Sequence, residues 1–444
     1  MVATVDIAHP QLAGFSLFDP DFLIDPYAMV ARAHREAPVF WDPAINGWVI
    51  TKYQDITSIL SDSRRFSSRA VGRIPVPRDI APLAPDFARD EIIFAIDPPE
   101  HTLARLTLQH GFTKKIIDGL ADHANGVAEQ VIGRIIDLGE CNLINDFCYA
   151  FSLGVIMKML NLPTEHAAQY RRWAEALFAL LTPKPLDADD QVVATHLSTE
   201  QIRSRWNDLA EANAFLRDIA GQRQENPASD LISAMLQARD NDGHRIDPGA
   251  VIRHSLSLIA AGFDTTATLI AHVVLLLSQN PDQLAALKAD FSLTANAIEE
   301  GLRRRGSTTT LFRITTEDVV VRDQPIARGS MICLLLPGAN LDAEVFPDPE
   351  KFDIRRANAN KHLGLGRGRH ACVGQPLVRI EAPIGLRKLY ERMPDLRIDL
   401  SQPVEYVPSF GVSNIARIRA KWGVAGNAGA QMTAPVPGSD APKE

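Results

Sequence analysis

The sequence predicts a mainly α-helical protein with small peripheral β-sheets. Helical periodicity dominates from about residue 99 to residue 304, whereas strand-like runs are short and lie outside that region. The most apolar stretch, residues 255–277, lies inside the longest periodic segment. The composition, 46% hydrophobic and 23% charged over 444 residues, is that of a globular protein with a sizeable core.

The hydrophobic pattern also predicts the individual elements. Helices are expected at residues 26–36, 53–61, 99–110, 116–138, 145–160, 164–182, 198–223, 229–237, 248–279 and 281–304. Strands are expected at 39–41 and 48–51, with Asn46-Gly47 as the turn between them, and at 319–321, 331–336 and 396–398. The proline-rich residues 70–90 predict a long irregular loop, and residues 183–190 a helix-to-helix loop.

Domain organisation is expected to be simple. One large domain is predicted over 16–422, after a flexible N-terminus at 1–15 and before a Gly-, Ala- and Pro-rich tail at 423–444 that is expected to be disordered. We find no signal peptide pattern, and polar residues such as Asp264 and His272 make 255–277 a core helix instead of a membrane span. The net charge of −8 argues against non-specific nucleic-acid binding. Four cysteines without a CxxC pair suit a reducing compartment, so the cytoplasm is expected.

A glycine-rich run ending at Cys372 is the strongest chemical signal. Residues 362–374 read HLGLGRGRHACVG, and a helical pattern resumes immediately afterwards at Pro376. The glycines allow close backbone approach and free N–H groups, and the positive end of the following helix favours a thiolate at Cys372. The alternative is a buried free cysteine beside a glycine turn.

A second signal lies midway along the predicted 248–279 helix. Residues 260–266 read AAGFDTT, in which a glycine, a carboxylate and threonines are poor choices for a helix interior. Asp264 and Thr265 together form an acid–alcohol pair that can relay protons. A helix cap or a satisfied polar cluster is the alternative.

These segments resemble the motifs of the cytochrome P450 family, in the family's order. The cysteine run resembles F-x-x-G-x-x-x-C-x-G, with Leu365 in place of the usual Phe, and residues 260–266 resemble A-G-x-[DE]-T-T. Glu300 and Arg303 resemble the E-x-x-R pair, with Arg356 as the expected third partner. Residues 97–105 (DPPEHTLAR) resemble D-P-P-x-H-x-x-x-R. The resemblance extends from about residue 20 to residue 422.

The resemblance implies the cytochrome P450 fold and a b-type haem with Cys372 as the iron ligand. Haem-binding positions implied for the rest of the site are His101, Arg105, Arg313, His370, Leu365, Gly366 and Gly374. Of these, His101, Arg105, Arg313 and His370 are expected at the haem propionates. Asp264 and Thr265 are the implied catalytic relay.

The implied activity is a monooxygenase that hydroxylates a hydrophobic small molecule, such as a terpenoid, a steroid or an aromatic compound, with O2. The two electrons are expected from a ferredoxin and its ferredoxin reductase, without a membrane or nucleic-acid partner. Cations expected near the cysteine, Lys114, Lys115, Arg367, Arg369 and Arg379, suggest a steering patch for an acidic donor. Two alternatives stay open: a peroxide-driven or isomerising haem-thiolate enzyme, and a non-enzymatic haem sensor or carrier.

Overall fold

Long helices occupy most of the middle of the chain, and most of the short strands lie toward the two ends of the sequence. The computed structural model describes residues 10–15, 21–22, 25–87, 92–112, 114–183, 197–239, 243–407 and 411–424. The α-helices there are α1 (Tyr27–Glu36), α2 (Tyr53–Ser61), α3 (Glu100–Gly111), α4 (Lys114–Ile135), α5 (Ala150–Leu160), α6 (Ala167–Ala179), α7 (Thr199–Glu225), α8 (Leu231–Gln237), α9 (Pro248–Gln279), α10 (Pro281–Ala289), α11 (Thr294–Arg305), α12 (Leu336–Asn340) and α13 (Gln375–Arg392).

The strands are paired in small sheets. They are β1 (Val39–Asp42), β2 (Gly47–Ile50), β3 (Phe66–Ser67), β4 (Val71–Arg73), β5 (Glu140–Asn142), β6 (Leu181–Pro183), β7 (Thr310–Thr315), β8 (Val319–Val321), β9 (Gln324–Ile326), β10 (Met331–Leu335), β11 (Arg397–Ile398), β12 (Glu405–Val407), β13 (Asn414–Arg417) and β14 (Arg419–Lys421). The largest sheet has the order β1-β2-β10-β7-β3.

Helix α9 is the central element of the core. Its N-cap Asp247 accepts hydrogen bonds from the N–H groups of Gly249 and Ala250, both at 3.2 Å, and it ends at Gln279, just before Asn280. It packs against α5, α6, α7 and α11. Within the described ranges α9 is the one helix long and apolar enough to cross a membrane, but 78% of its most apolar window is buried inside the protein, which is typical of a core helix.

The five-stranded sheet follows from short-range and long-range pairing. Residues 43–46 form the turn that joins β1 and β2 in antiparallel pairing, with Asn46 at a φ of 47°. The predicted hairpin is confirmed, but Gly47, which was predicted as a turn residue, is the first residue of β2 and pairs with Asp42. Strand β10 runs parallel to β2 and antiparallel to β7, with Ile332 opposite Arg313. This sheet therefore places Arg313 at a fixed register beside the helical body.

The predicted helix at 281–304 is wrong as a single element. Helix α10 ends at Ala289, a short 3-10 turn covers Phe291–Leu293, and α11 begins at Thr294. Asp290 causes the break, since its backbone is extended (φ −148°) and its side chain accepts a hydrogen bond from the N–H of Ser292 at 2.9 Å.

Residues 70–90 and 164–182 also differ from the prediction. Helix α6 ends at Ala179, and Leu181–Pro183 forms β6, which pairs with β4 inside the expected loop. The pairing is extended by a 2.8 Å hydrogen bond from the Ile74 N–H to the Leu180 carbonyl. Long-range strand pairing overrides a local helical pattern here. The predicted loop at 183–190, and most of the predicted flexible N-terminus and tail, fall outside the described residues.

Candidate active site

A largely apolar cavity separates the middle of α9 from the loop that carries Cys372. Leu258, Ala261, Gly262, Thr265 and Thr266 line it from α9. Leu365, Cys372, Val373, Gly374 and the first turns of α13 line it from the other side. The two strongest motifs of the sequence, more than 100 residues apart along the chain, therefore share one cavity.

The loop around Cys372 is held in a tight, specific shape. The N–H of Cys372 donates to the carbonyl of Leu365 at 2.8 Å. Gly366 and Gly368 have φ values of 67° and 71°, in the left-handed region. A Cβ on Gly368 would approach the Leu60 carbonyl oxygen at 2.6 Å, so glycine is required for this close contact. Gly366 does not line the cavity but faces a surface depression on the outer side of the loop.

Cys372 lies just before the N-terminus of α13 and opens into the cavity. Burial raises the pKa of its thiol, while the N–H groups of Gly374 and Gln375 and the charges of Arg105 and Arg379 oppose that rise. The other described cysteines, Cys141, Cys148 and Cys333, are buried, and burial raises the pKa of each thiol. Among the described cysteines, Cys372 alone combines an accessible sulfur with N–H groups and cations suited to a thiolate.

Four predicted cationic or imidazole groups meet beside this loop. The His101 and His370 ring centroids are 4.0 Å apart. Arg105 donates from Nη1 to the carbonyl of Ala371, next to Cys372. Arg313 is 4% exposed, and its Nη1 donates to the carbonyl of Phe312 at 2.7 Å. The structure thus brings together four residues from three separate sequence motifs.

The electrostatics of this cluster favour a bound anion. Burial lowers the pKa of Arg313 to about 10, and Asp97 only partly opposes the shift. Burial and the charges of Arg313, His101 and Arg105 lower the pKa of His370 to about 3. The buried Nε2 of His101 has no hydrogen-bond partner. An unpaired buried imidazole nitrogen and two guanidinium groups beside a thiol fit a haem, whose iron takes a thiolate and whose propionates take cations.

The acid and the alcohol of α9 take different positions. Thr265 lines the cavity, and its Oγ1 donates to the Ala261 carbonyl at 2.7 Å. Asp264 is half-buried and does not line the cavity. It accepts a hydrogen bond from the hydroxyl of Tyr149, whose pKa is raised by burial and by this carboxylate. A relay from Asp264 to Thr265 therefore requires the Asp264 side chain to turn toward the cavity.

Glu381 is a cavity residue that sequence reasoning missed. It is fully buried, lines the cavity from α13, and neither carboxyl oxygen makes a hydrogen bond of normal geometry, although the Thr266 hydroxyl faces it. Burial raises the pKa of Glu381 to about 8. The signal in the sequence was its spacing, because Glu381 is four residues from both Leu377 and Gly385 on the buried stripe of α13.

We expect Glu381→Gln to remove a pH-dependent loss of stability. The unfolded carboxyl titrates near its ordinary value of 4.5 and the folded one near 8, so the folded state retains a proton that the unfolded chain loses. The contribution of Glu381 to the free energy of unfolding is therefore largest below about pH 4.5. It decreases by up to roughly 5 kcal/mol as the pH rises toward 8. The variant, neutral throughout, should melt higher than wild type at pH 8 and nearly equally at pH 5. If the melting temperatures of the variant and the wild type change equally with pH, the raised pKa of Glu381 is contradicted. Glu391→Gln on the same helix is the control.

The predicted E-x-x-R pair forms a buried ion network. The Glu300 and Arg303 side chains are both 0% exposed, and Arg303 donates from Nε to Glu300 Oε2 at 2.7 Å and from Nη2 to Oε1 at 2.8 Å. Arg356, the predicted third partner, donates from Nε to Glu300 Oε1 at 3.1 Å. The network joins α11 to the segment that precedes the cysteine loop.

Comparison with known proteins agrees with these motifs over most of the chain. The family model described as Cytochrome P450 matches residues 47–392. Cytochrome P450 107B1 of Saccharopolyspora erythraea is 32% identical over 392 residues, covering 86% of this chain and 91% of that protein. Cyclomarin C epoxidase CymV of Salinispora arenicola is 32% identical over 389 residues, covering 87% and 93%.

Solved structures show the same fold. The crystal structure of P450BioI in complex with hexadec-9Z-enoic acid ligated acyl carrier protein has a TM-score of 0.78 and 26% identity, covering 91% of this chain and all of that one. CYP109E1 from Bacillus megaterium in complex with testosterone has a TM-score of 0.77 and 25% identity, covering 90% and 100%. The fold class predicted from the sequence is confirmed. The chain therefore belongs to the cytochrome P450 family of haem-binding monooxygenases.

Proposed function

We propose that this P450 holds haem iron through Cys372 and hydroxylates a hydrophobic small molecule in the cavity. The observation that carries the proposal is the shared cavity, in which the Cys372 sulfur and Thr265 are on opposite walls. Haem bound through a cysteine thiolate supplies reductive activation of dioxygen. The test is to reduce the purified protein, add carbon monoxide and record the Soret band. A strongly red-shifted band supports thiolate ligation, and a band at the histidine-haem position contradicts it.

Four residues would hold the propionates of this haem. The guanidinium groups of Arg105 and Arg313 and the imidazoles of His101 and His370 cluster next to the cysteine loop, with His101 and Arg313 buried. The Nε2–H of His101 and the guanidinium groups can donate charge-assisted bonds to carboxylates. Leu365 and Gly374 line the cavity beside Cys372 and would contact the macrocycle, whereas Gly366 would shape the loop from outside.

Thr265 and Asp264 would deliver protons to the reacting oxygen. Thr265 Oγ1 already lies in the cavity wall, and Asp264 adjoins it on the side facing Tyr149. We expect Thr265→Ala to lower product formed per reductant consumed by roughly tenfold or more, with hydrogen peroxide released instead, because the alcohol that passes the proton is missing. Thr268→Ala, three residues along α9 and outside the cavity lining, is the matched control.

Coupling is measured as product, peroxide and reductant in the same reaction. Unchanged coupling in the Thr265 variant would remove this residue from the relay. It would also favour the peroxide-driven or isomerising alternative, for which reductive proton delivery is unnecessary. A haem sensor or carrier would show no turnover in the wild-type protein.

The substrate is proposed to be a terpenoid, a steroid or an aromatic compound. Ile156, Met159, Leu258 and Leu269 give the cavity a hydrophobic wall. CYP109E1, a structural relative, was solved with testosterone and with corticosterone, which supports the steroid class.

The electron donors are proposed to be a ferredoxin and a ferredoxin reductase in the cytoplasm. Arg367 and Arg369 are exposed on the outer side of the cysteine loop. The two other predicted cations, Lys114 and Lys115, have side chains that the structure does not describe. We expect Arg367→Glu together with Arg369→Glu to slow reduction by ferredoxin about tenfold or more at low salt, because steering of an acidic donor is lost.

Substrate affinity should not change in this double variant, because the substitutions lie outside the cavity. The control has the same charge change elsewhere, at the exposed residues Arg78 and Arg397. Reduction rates are measured by stopped-flow spectroscopy under carbon monoxide. Equal rates in the two double variants would show that no steering patch exists at this loop.

A further inference from the structure

A bidentate ion pair lies on the outer side of the Cys372 loop. Arg379 of α13 donates from Nε to Glu299 Oε1 at 2.7 Å and from Nη2 to Glu299 Oε2 at 3.2 Å. Glu299 directly precedes Glu300 on α11, but the two carboxylates have different partners. The Glu299–Arg379 pair therefore joins α11 to α13 one to two turns after the cysteine, separately from the buried E-x-x-R network.

His362 fixes the Glu299 carboxylate. The N–H of Gly364 donates to His362 Nδ1 at 3.0 Å, so the proton of the neutral ring is on Nε2, which lies 3.1 Å from Glu299 Oε2. Burial alone would raise the pKa of Glu299, but the hydrogen bonds from His362 and Arg379, together with the charge of Arg379, lower it to about 2. Glu299 is thus a fixed negative charge at the start of the cysteine loop.

Arg379 interacts with both Glu299 and Cys372. The hydrogen bond to Glu299 contributes most to its raised pKa, and the Cys372 thiolate adds to it. Arg379 is also linked to the cysteine through Gln375, because its Nη1 donates to Gln375 Oε1 at 2.9 Å and the Gln375 N–H donates to the Cys372 carbonyl at 3.4 Å. The Arg379 side chain is 42% exposed and lines a polar surface depression with Tyr53, Arg367 and Gln375. The net charge beside the sulfur therefore depends on how completely Glu299 neutralises Arg379.

We propose that Glu299 and Arg379 are positioning residues that set the reduction potential of the haem bound at Cys372. The inference rests on the proposed ligation by Cys372. A positive charge near the sulfur stabilises the reduced state and a negative charge opposes it, so the two members of the pair act in opposite directions. The hydrogen bond from His362 holds the Glu299 carboxylate in the position where its negative charge offsets the positive charge of Arg379.

The experiment is a spectroelectrochemical titration of the haem-loaded protein. Glu299→Gln removes the negative charge and should move the midpoint potential in the positive direction. Arg379→Gln removes the positive charge and should move it in the negative direction, whereas Arg379→Lys, which keeps the charge, should move it less. The control pair is Arg387 and Glu391, which are also on α13 with 2.6 Å between Nε and Oε1. Arg387→Gln and Glu391→Gln should leave the potential unchanged.

Shifts of opposite sign support the inference. A purely structural role would loosen the same loop in both variants and move the potential in the same direction, and that result overturns it, as do shifts no larger than those of the controls. If Glu299→Gln does not retain haem, the midpoint potentials of Arg379→Gln and Arg379→Lys are compared instead. A more negative potential in Arg379→Gln than in Arg379→Lys supports the inference, and equal potentials overturn it. The carbon monoxide spectrum of the wild-type protein distinguishes a failure of this inference from a failure of the proposed ligation by Cys372. With a red-shifted band, failed shifts overturn this inference alone, and without the band the proposed function and the inference fall together.

Discussion

Replacing Cys372 by histidine is expected to abolish monooxygenase activity and the red-shifted carbon monoxide band. Histidine is a neutral ligand, so it cannot donate the electron density that a thiolate gives to iron. The N–H groups of Gly374 and Gln375 and the charges of Arg105 and Arg379 would then face an uncharged imidazole. Product formation should fall to background, while any haem that is retained should show the ordinary histidine-haem spectrum.

The matched control for this variant is another cysteine. Cys141 on β5 is buried and does not line the cavity, so Cys141→Ser should retain the band and the activity. Haem content and the carbon monoxide spectrum are measured for both proteins. A red-shifted band that survives in Cys372→His would place the iron ligand elsewhere and remove the basis of the proposed mechanism.

Glu300→Gln is expected to destabilise the fold by about 3–5 kcal/mol. The substitution leaves Arg303, which is 0% exposed, and Arg356 without the carboxylate that compensates their charges. Arg303 also donates to the carbonyls of Asn340 and Pro349, at 3.0 and 2.8 Å, so it cannot turn out to solvent without breaking the local backbone arrangement. We expect a much lower yield of soluble, haem-containing protein and a lower denaturation midpoint.

An exposed ion pair gives the comparison for this variant. Arg32 and Glu36 on α1 are four residues apart, with 2.9 Å between Nε and Oε2. Glu36→Gln should change stability by no more than about 0.5 kcal/mol, because solvent screens that pair. Equal effects of the two substitutions would mean that the Glu300 network does not hold α11 to the chain before the cysteine.

Local sequence was sufficient wherever one segment carries its own signal. The bounds of α9 match the prediction because Asp247-Pro248 starts the helix and Asn280-Pro281 follows its end. The hairpin of β1 and β2 was predicted from Asn46-Gly47, although its turn covers residues 43–46 and Gly47 is already part of β2. In contrast, β4 and β6 were predicted as a loop and the end of a helix, because their pairing joins residues more than 100 positions apart. No local pattern contains that information.

The candidate site divides in the same way. The sequence motifs, through their resemblance to the cytochrome P450 family, were enough to predict the family and its haem, which the comparisons confirm. The same motifs name Cys372 and the cationic residues as candidate haem-binding positions, because each motif is a short local pattern. Only the tertiary structure decided that Asp264 faces Tyr149, that Glu381 enters the cavity and that Glu299 and Arg379 meet beside Cys372. Those facts depend on which helix faces pack together, and burial, charge and hydrogen bonding at a residue are set by neighbours that are distant in the chain.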